Sequence, residues 1–551
     1  MKNRYLDVME RALGAYSTEQ IDEYFDEVKR GGLTEHGFAR LVANIGTQIA
    51  HGRRKELESR FIEMMSFCCD HVSTDRAAND FSIQEMIACI DLLEERGAVS
   101  RELIGKWREG LRKPIIYNEV AKSPEQLAYN WVLFSATSEF LRMKRGLCPM
   151  DIDFIDMQLA TQVVHLDENL MYRDAAVHPP MVYDNVPRTL FSILLFYGYD
   201  GKYRELIDNC LKNAGSLSLR MQSSTGEIAF GGRSNQFYHN EAHLAAIFEY
   251  EAARYKKEGN ISLARKFKRG ALDALASICR GLEAEPIHHV KNRFPLDTQY
   301  GCEDYAYFNK YMITVASFLN WARLFCDEEI DAADEPIRST DVFSLSEDFH
   351  KTFLRAGDYF AELDTNADTH YDASGLGRLH KRGAPSEICL SCPGSASPNF
   401  KIDTENAIDF SIAPGIFVGD EPVFKTEGEY RTCSTFSDEE RTAATFECEI
   451  DGKKLDFSLE LDKNGALVSV RGDGIVALML PAFFFDGEEH TKINCSGSAL
   501  EVCYKGYICT YSANGKIFDT ERLGCNRNGH YKIFFAAGDG EVKAHISIEK
   551  T

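Results

Sequence analysis

The period of the apolar pattern changes once along this chain, and that change limits it to a fold with two parts. Up to about residue 326 apolar residues recur at helical spacing; beyond about 342 they alternate at strand spacing. Ser17-Thr18-Glu19-Gln20 is a capping box, and Gly31-Gly32 ends the helix that it opens. Ser82-Ile83-Gln84-Glu85 opens another, which ends at Arg96-Gly97. Ser123-Pro124-Glu125-Gln126, with proline at the first helical position, predicts a helix through Trp131, Phe134 and Phe140 to Arg145-Gly146. Further helices are predicted near 34–51, 55–72, 101–111, 150–165, 187–198, 203–221, 240–257, 262–283 and 304–326. These make about a dozen helices joined by short links. Many are apolar on more than one side, so neighbours share them. Helical hairpins in a ring or solenoid satisfy that demand. The sequence repeats no motif, which argues against tetratricopeptide-type arrays.

The acidic run Cys326 to Pro336 marks a boundary. The predicted organisation is α+β multidomain: a helical domain over 1–326, an acidic linker over 327–341, and an antiparallel β-sandwich over 342–551. Tyr359–Leu363, Ala407–Ile412, Leu455–Leu461 and Tyr531–Phe535 read as strands. Asp451-Gly452, Asn464-Gly465, Asp473-Gly474 and Asn514-Gly515 read as turns between strands.

Charge narrows the partners. A net charge of −23 over 551 residues repels nucleic acid and long polyanions, though short charged sugars are less affected because salt screens the field. No apolar run reaches membrane-spanning length, and the first residues carry no signal-peptide pattern. Sixteen cysteines in such a chain predict reduced thiols in the cytoplasm. Cys389 and Cys392 have CxxC spacing without a partner pair, so structural thiols are expected there. Neither a metal nor a cofactor is predicted, and homo-oligomers are left open.

The densest chemistry lies in Gly231-Gly232-Arg233-Ser234-Asn235-Gln236-Phe237-Tyr238-His239-Asn240-Glu241. Arginine, amides, phenol, imidazole and carboxylate gather there before an apolar helix, as a polar, anionic substrate requires. Asn235 and His239 are four apart; if helical, they share a face, with Arg233 just ahead. The competing expectation is an N-cap and a core imidazole.

The layout resembles the (α/α)-toroid carbohydrate-active enzymes, and within them the heparinase II/III-like polysaccharide lyases. Three segments carry the resemblance. Asn235–Glu241 is similar to their Asn/His-rich helix start. Tyr300-Gly301-Cys302-Glu303-Asp304-Tyr305-Ala306-Tyr307 resembles their segment with the catalytic tyrosine. Leu354–Phe360 with Asp368-Thr369-His370-Tyr371-Asp372 resembles their first sandwich strands and His-rich turn, of which only His370 is present here.

The resemblance implies β-elimination on uronic-acid-containing oligosaccharides, cut from a chain end. Arg233, Asn235 and His239 would hold the carboxylate and Tyr305, with Tyr307 as runner-up, would move protons. His370 would assist from the sandwich. This requires His239 and Tyr305 to meet in one hollow, rimmed by the C-terminal half. The acids Glu241, Glu303 and Asp304 keep a glycoside hydrolase as the alternative, and a non-catalytic sugar-binding protein is a further one. Tyr172, Arg173, Tyr183 and Asp184 lie in a polar loop expected at the cavity mouth. Trp131 is expected in packing between helices, with a sugar platform as the alternative. Gly375–Gly383 reads as a basic hairpin offering Arg378, His380 and Arg382 to an anion.

Overall fold

Helices that are apolar all round must be covered on all sides, and this chain covers them by closing them into a ring. The computed structural model describes all residues except 34–36, 74–78, 175–180, 335–339 and 403–405. Among the described residues there are thirteen α-helices. Seven form an outer layer: α1 (Lys2–Leu13), α2 (Thr18–Gly31), α4 (Glu58–His71), α6 (Arg101–Arg112), α8 (Ile152–Val163), α10 (Arg204–Met221) and α12 (Ile261–Leu282). Six form an inner ring: α3 (Gly37–Ala50), α5 (Asn79–Arg96), α7 (Trp131–Lys144), α9 (Met181–Phe196), α11 (Tyr238–Lys257) and α13 (Phe308–Phe325). Each inner helix packs on the next, and α13 returns to α3.

Burial follows position. All fourteen residues of α3 are buried, whereas outer α2 buries only Ile21, Phe25 and Val28. Gly46 lets α3 lie close to α5, since a Cβ there would fall 2.5 Å from Cys89 Sγ. The capping box at Ser17 and Gln20 forms.

Helix starts differ from the sequence reading at several points; α5, for one, begins at Asn79, so Ser82 lies inside it rather than opening it. Residues 123–126 make a single turn, and α7 begins only at Trp131. The intervening backbone is held out of the helix by neighbouring side chains. Ala128 O accepts from Gln162 and His165, at 3.1 and 2.9 Å, and Asn130 N donates to Asp174. Conversely, α9 starts at Met181 and carries Pro187 inside it.

The C-terminal part is two stacked antiparallel sheets. The smaller contains β1 (Thr340–Ser344), β2 (Lys351–Ala356), β3 (Tyr359–Asp364) and β4 (Gly375–Lys381), in that order. The larger has eleven strands. They are β5 (Pro414–Val418), β6 (Glu421–Phe424), β7 (Arg431–Ser437), β8 (Arg441–Ile450), β9 (Lys453–Asp462) and β10 (Gly465–Phe485), followed by five more. These are β11 (Lys492–Ser496), β12 (Ala499–Tyr504), β13 (Tyr507–Ala513), β14 (Ile517–Asn526) and β15 (Gly529–Lys550). Asp473-Gly474 makes an irregularity within the long β10 rather than a turn between strands. Residues 407–412 form isolated bridges instead of a strand.

The small sheet is sandwiched between ring and large sheet, so β2 and β3 are buried along their whole length. Alternation sorts their side chains. Leu354, Ala361 and Leu363 join the core of the large sheet. Phe353 and Phe360 pack with Met171, Met181 and Met221 of the helical domain. The ring-facing side also carries charge, and this corrects the reading of Gly375–Gly383 as a basic hairpin offered to an anion. Arg378 on β4 is buried, donates to Ile228 O at 2.6 Å, and pairs with Glu362 at 3.0 Å. His380, also buried, bonds Thr225 Oγ1 at 2.9 Å.

The seam is fastened to the glycine-rich run. The N–H groups of Phe230, Gly232 and Ser234 donate to the carboxylates of Glu362, Asp372 and Glu303, at 3.0, 2.7 and 2.7 Å. Arg527, in the β14–β15 turn, holds Glu303 in turn at 2.6 Å, and both are buried. Arg527→Ala leaves that carboxylate buried and unpaired, which is expected to cost about 3–5 kcal/mol in denaturant unfolding. Pairing Arg527→Met with Glu303→Gln removes both charges and should recover part of that loss.

Candidate active site

A cavity of about 880 Å³ opens at one end of the ring. Every inner helix contributes from its first turns: Arg40 from α3, Phe81 from α5, Trp131 and Phe134 from α7, Tyr183 from α9, His239 from α11, and Tyr311 from α13. All six N-termini therefore face this hollow. Each carries about half a positive charge from its unsatisfied N–H groups. An anion is attracted here even though the whole chain carries −23.

Two side chains far apart in sequence, His239 and Tyr305, line the same hollow. His239 is buried, and its Nδ1 has no hydrogen-bond partner among the described residues. Burial lowers its pKa to about 3, with neighbouring His289 and Arg40 adding to the effect, so the ring is neutral. Tyr305 precedes α13 with its ring partly exposed and its hydroxyl turned inward to share a 2.9 Å hydrogen bond with Ser234 Oγ. Burial of that oxygen, helped by nearby Glu303, pushes its pKa to about 12 and keeps the phenol protonated.

Ser234 collects more than one phenol. Tyr183 OH lies 3.1 Å from the same Oγ, and the Tyr311 ring stands edge-on to His239, with centroids 4.8 Å apart. Ser234 and Gln236 both have left-handed backbone, at φ 56° and 63°, following Gly231 and Gly232 at positive φ. This irregular turn corrects the expectation of a helical face shared by Asn235 and His239, because α11 begins only at Tyr238. Asn235 is turned away from the cavity, donating to Ala229 O and accepting from Gln236. Arg233 does line the cavity, stacked 4.4 Å from the Tyr183 ring centroid and paired with Asp174.

In layout the chain is similar to polysaccharide lyases built from a helical ring and antiparallel sheets. A heparinase III structure aligns over 94% of this chain and 77% of its own, with 10% identity and a TM-score of 0.44. A Paenibacillus xanthan lyase aligns over 99% of this chain and 57% of its own, with 10% identity and a TM-score of 0.48. A Streptomyces coelicolor chondroitin AC lyase, solved with chondroitin sulphate, aligns over 99% and 79%, with 11% identity and a TM-score of 0.47. No family model matches the sequence, and no curated protein does either. At these values the likeness is one of layout, and the chemistry rests on this chain's own side chains.

Those side chains divide the predicted residues. Arg233, His239, Tyr305 and Tyr183 meet in the cavity. Glu241 does not; it is buried against Lys291 Nζ at 2.9 Å, a lysine that Glu227 shares at 3.0 Å. Glu303 is taken by Arg527 and the Ser234 N–H, and Asp304 is exposed near Lys401. The paired-carboxylate arrangement thus loses its residues to structural ion pairs. His370 is exposed on its turn beside Asp368, 2.8 Å away, rather than over the cavity. Tyr307 caps α13 outside the lining. Tyr172 is buried against Gln162, Asp184 pairs with Arg188, Arg173 crosses to Asp348, and Arg382 pairs with Asp358. The loop residues between Asp174 and Met181 lie outside the described residues. The rim is built by the helical domain, so the C-terminal half supports the site from behind rather than framing it.

The sequence reading missed Ser234, Tyr311, His243 and Arg40. It also misplaced Trp131, which is 43% exposed and forms the mouth with Tyr129 and Leu127. The available signal was position: each inner helix carries a polar or aromatic residue in its opening turn. Cys389 and Cys392 are buried free thiols, and no metal-binding group of side chains occurs among the described residues. Burial also holds the pKa of His243 well below its ordinary value. Imidazole NMR should therefore show His239 and His243 still neutral at about pH 5, where an ordinary histidine is charged. A His239 titration near its ordinary value would mean a hydrated, open ring.

Proposed function

We propose that this protein is a lyase that cleaves short uronic-acid-containing oligosaccharides by β-elimination. One observation carries the reading: a neutral imidazole and protonated phenols share a cavity faced by helix N-termini, while Glu241 and Glu303 are committed elsewhere. The aromatic mouth of Trp131 and Tyr129 suits sugar faces. A volume of about 880 Å³ falls in the range of small-ligand sites, which supports a few sugar units and an exo mode.

In this mechanism the substrate carboxylate sits near Arg233 and the helix N-termini, which offset the charge that builds as the C5 proton leaves. His239 takes that proton through its unpartnered Nδ1. A carboxylate beside the ring raises the low imidazole pKa, because an anion favours the imidazolium. Tyr305, held protonated, gives its proton to the departing O4. Sixteen unpaired cysteines support a reducing, cytoplasmic location. No helix among the described residues is long and apolar enough to cross a membrane.

A screen of uronate oligosaccharides should give an unsaturated product with near-ultraviolet absorbance and no net uptake of water. His239→Ala and Tyr305→Phe should each lower kcat by roughly 10²–10⁴-fold. Glu241→Gln should keep most of the activity; its loss, with reducing ends and no absorbance, identifies a hydrolase instead. Because His239 is neutral above about 3 and Tyr305 protonated below about 12, kcat/KM should stay flat across the neutral range. A steep limb near pH 6.5 would contradict these protonation states.

A further inference from the structure

A second cavity, of about 400 Å³, lies at the seam between ring and sheets and shares no lining residue with the first. One wall is the end of α12 with the segment that follows it to Arg293. The other is made by the loops after β4 and β10 and by the β12–β13 and β14–β15 turns. Tyr238, the first residue of α11, lines this cavity, while His239, the next, lines the ring cavity. A Cβ at Gly281 would run into the Tyr238 ring, so that glycine leaves the phenol room to lie on α12.

Several donors on these walls are unpaired. Among the described residues, the Arg293 guanidinium has no hydrogen bond or ion pair, and the hydroxyls of Tyr238 and Tyr507 have no hydrogen-bond partner. The exposed Arg280 bonds only the backbone oxygen of Thr225. A guanidinium matches a carboxylate through two parallel N–H groups. Acids share the walls. Glu227 is held by Lys291 at 3.0 Å, Asp486 by Lys505 at 3.4 Å, Glu387 takes the Tyr504 hydroxyl at 3.1 Å, and Glu283 is exposed. These carboxylates accept from ligand hydroxyls and repel an anion that brings few donors, such as phosphate. One carboxylate for the arginines, with hydroxyls for the acids and phenols, describes a sugar acid. A volume of about 400 Å³ lies low in the range of small-ligand sites and suits a single sugar.

We propose that the seam cavity is a second binding site, for a sugar acid, whose carboxylate meets Arg293 and Arg280 and whose hydroxyls and ring meet Tyr238 and Tyr507. The site is separate from the lyase chemistry and does not rest on it.

Tyrosine ring-carbon NMR of the full chain tests this through Tyr238, whose signal is assigned by its loss in Tyr238→Phe. Glucuronate should shift that signal along a single saturating curve. Glucose and inorganic phosphate should each bind roughly 10-fold more weakly or worse. Neither arginine pairs with a carboxylate, so replacing both strands no buried charge. Arg280→Gln with Arg293→Gln should therefore keep the other tyrosine signals in place and weaken glucuronate by roughly 10-fold or more. Arg233→Gln, in the ring cavity, should leave the Tyr238 titration as it is. The proposal is overturned by a Tyr238 signal that glucuronate does not move, by glucose or phosphate binding as tightly, or by native affinity in the double variant. A titration lost in Arg233→Gln overturns it too, since the signal then reports the ring cavity. Absence of turnover on uronates overturns the lyase reading alone, because the Tyr238 titration needs no turnover.

Discussion

Three buried carboxylates from outside the inner ring grip one stretch of backbone, and the candidate site depends on that grip. Glu362, Asp372 and Glu303 each take one N–H, from Phe230, Gly232 and Ser234. A carboxylate removed from water is costly unless charge and hydrogen bonds compensate it. Arg378 and Arg527 supply that compensation for Glu362 and Glu303. The turn they hold places Arg233 on the cavity wall, Ser234 behind the phenols, and His239 one residue into α11. The sheets therefore act on the chemistry without touching the cavity.

The second constraint is electrostatic. A chain with a net charge of −23 repels anions at long range. The ring answers this locally, because all its inner helices run parallel and point their N-termini at one place. Backbone dipoles, unlike lysines, need no neighbouring space or counter-ion. The cavity can thus be lined largely by aromatic and neutral polar groups and still favour a carboxylate.

The two-part architecture was legible because periodicity reports burial directly. Helices covered on every side lose the single apolar stripe, and that loss is visible in Phe308–Phe325. The run from Arg233 to His239 was legible because polar groups were concentrated there. What the sequence withheld was destination. Arg378 and His380 look like an anion-binding hairpin when a strand alternates basic and apolar residues. They serve instead on the ring-facing side of a sheet covered on both faces. Glu241 and Glu303 have the chemistry of catalytic acids, yet Lys291 and Arg527 consume them, and those partners are distant in the chain. Tyr311 is one of 24 tyrosines, and only closure of the ring distinguishes it.

Closure of the ring has a temporal consequence. The α3–α13 contact joins segments separated by most of the helical domain, and the Arg527 clamp is supplied by a turn near the other end of the chain. A nascent polypeptide leaving the ribosome thus carries a ring without its final fastening until the last strands emerge. The carboxylate that holds the Ser234 N–H therefore waits for its cation, because Arg527 follows Glu303 by 224 residues.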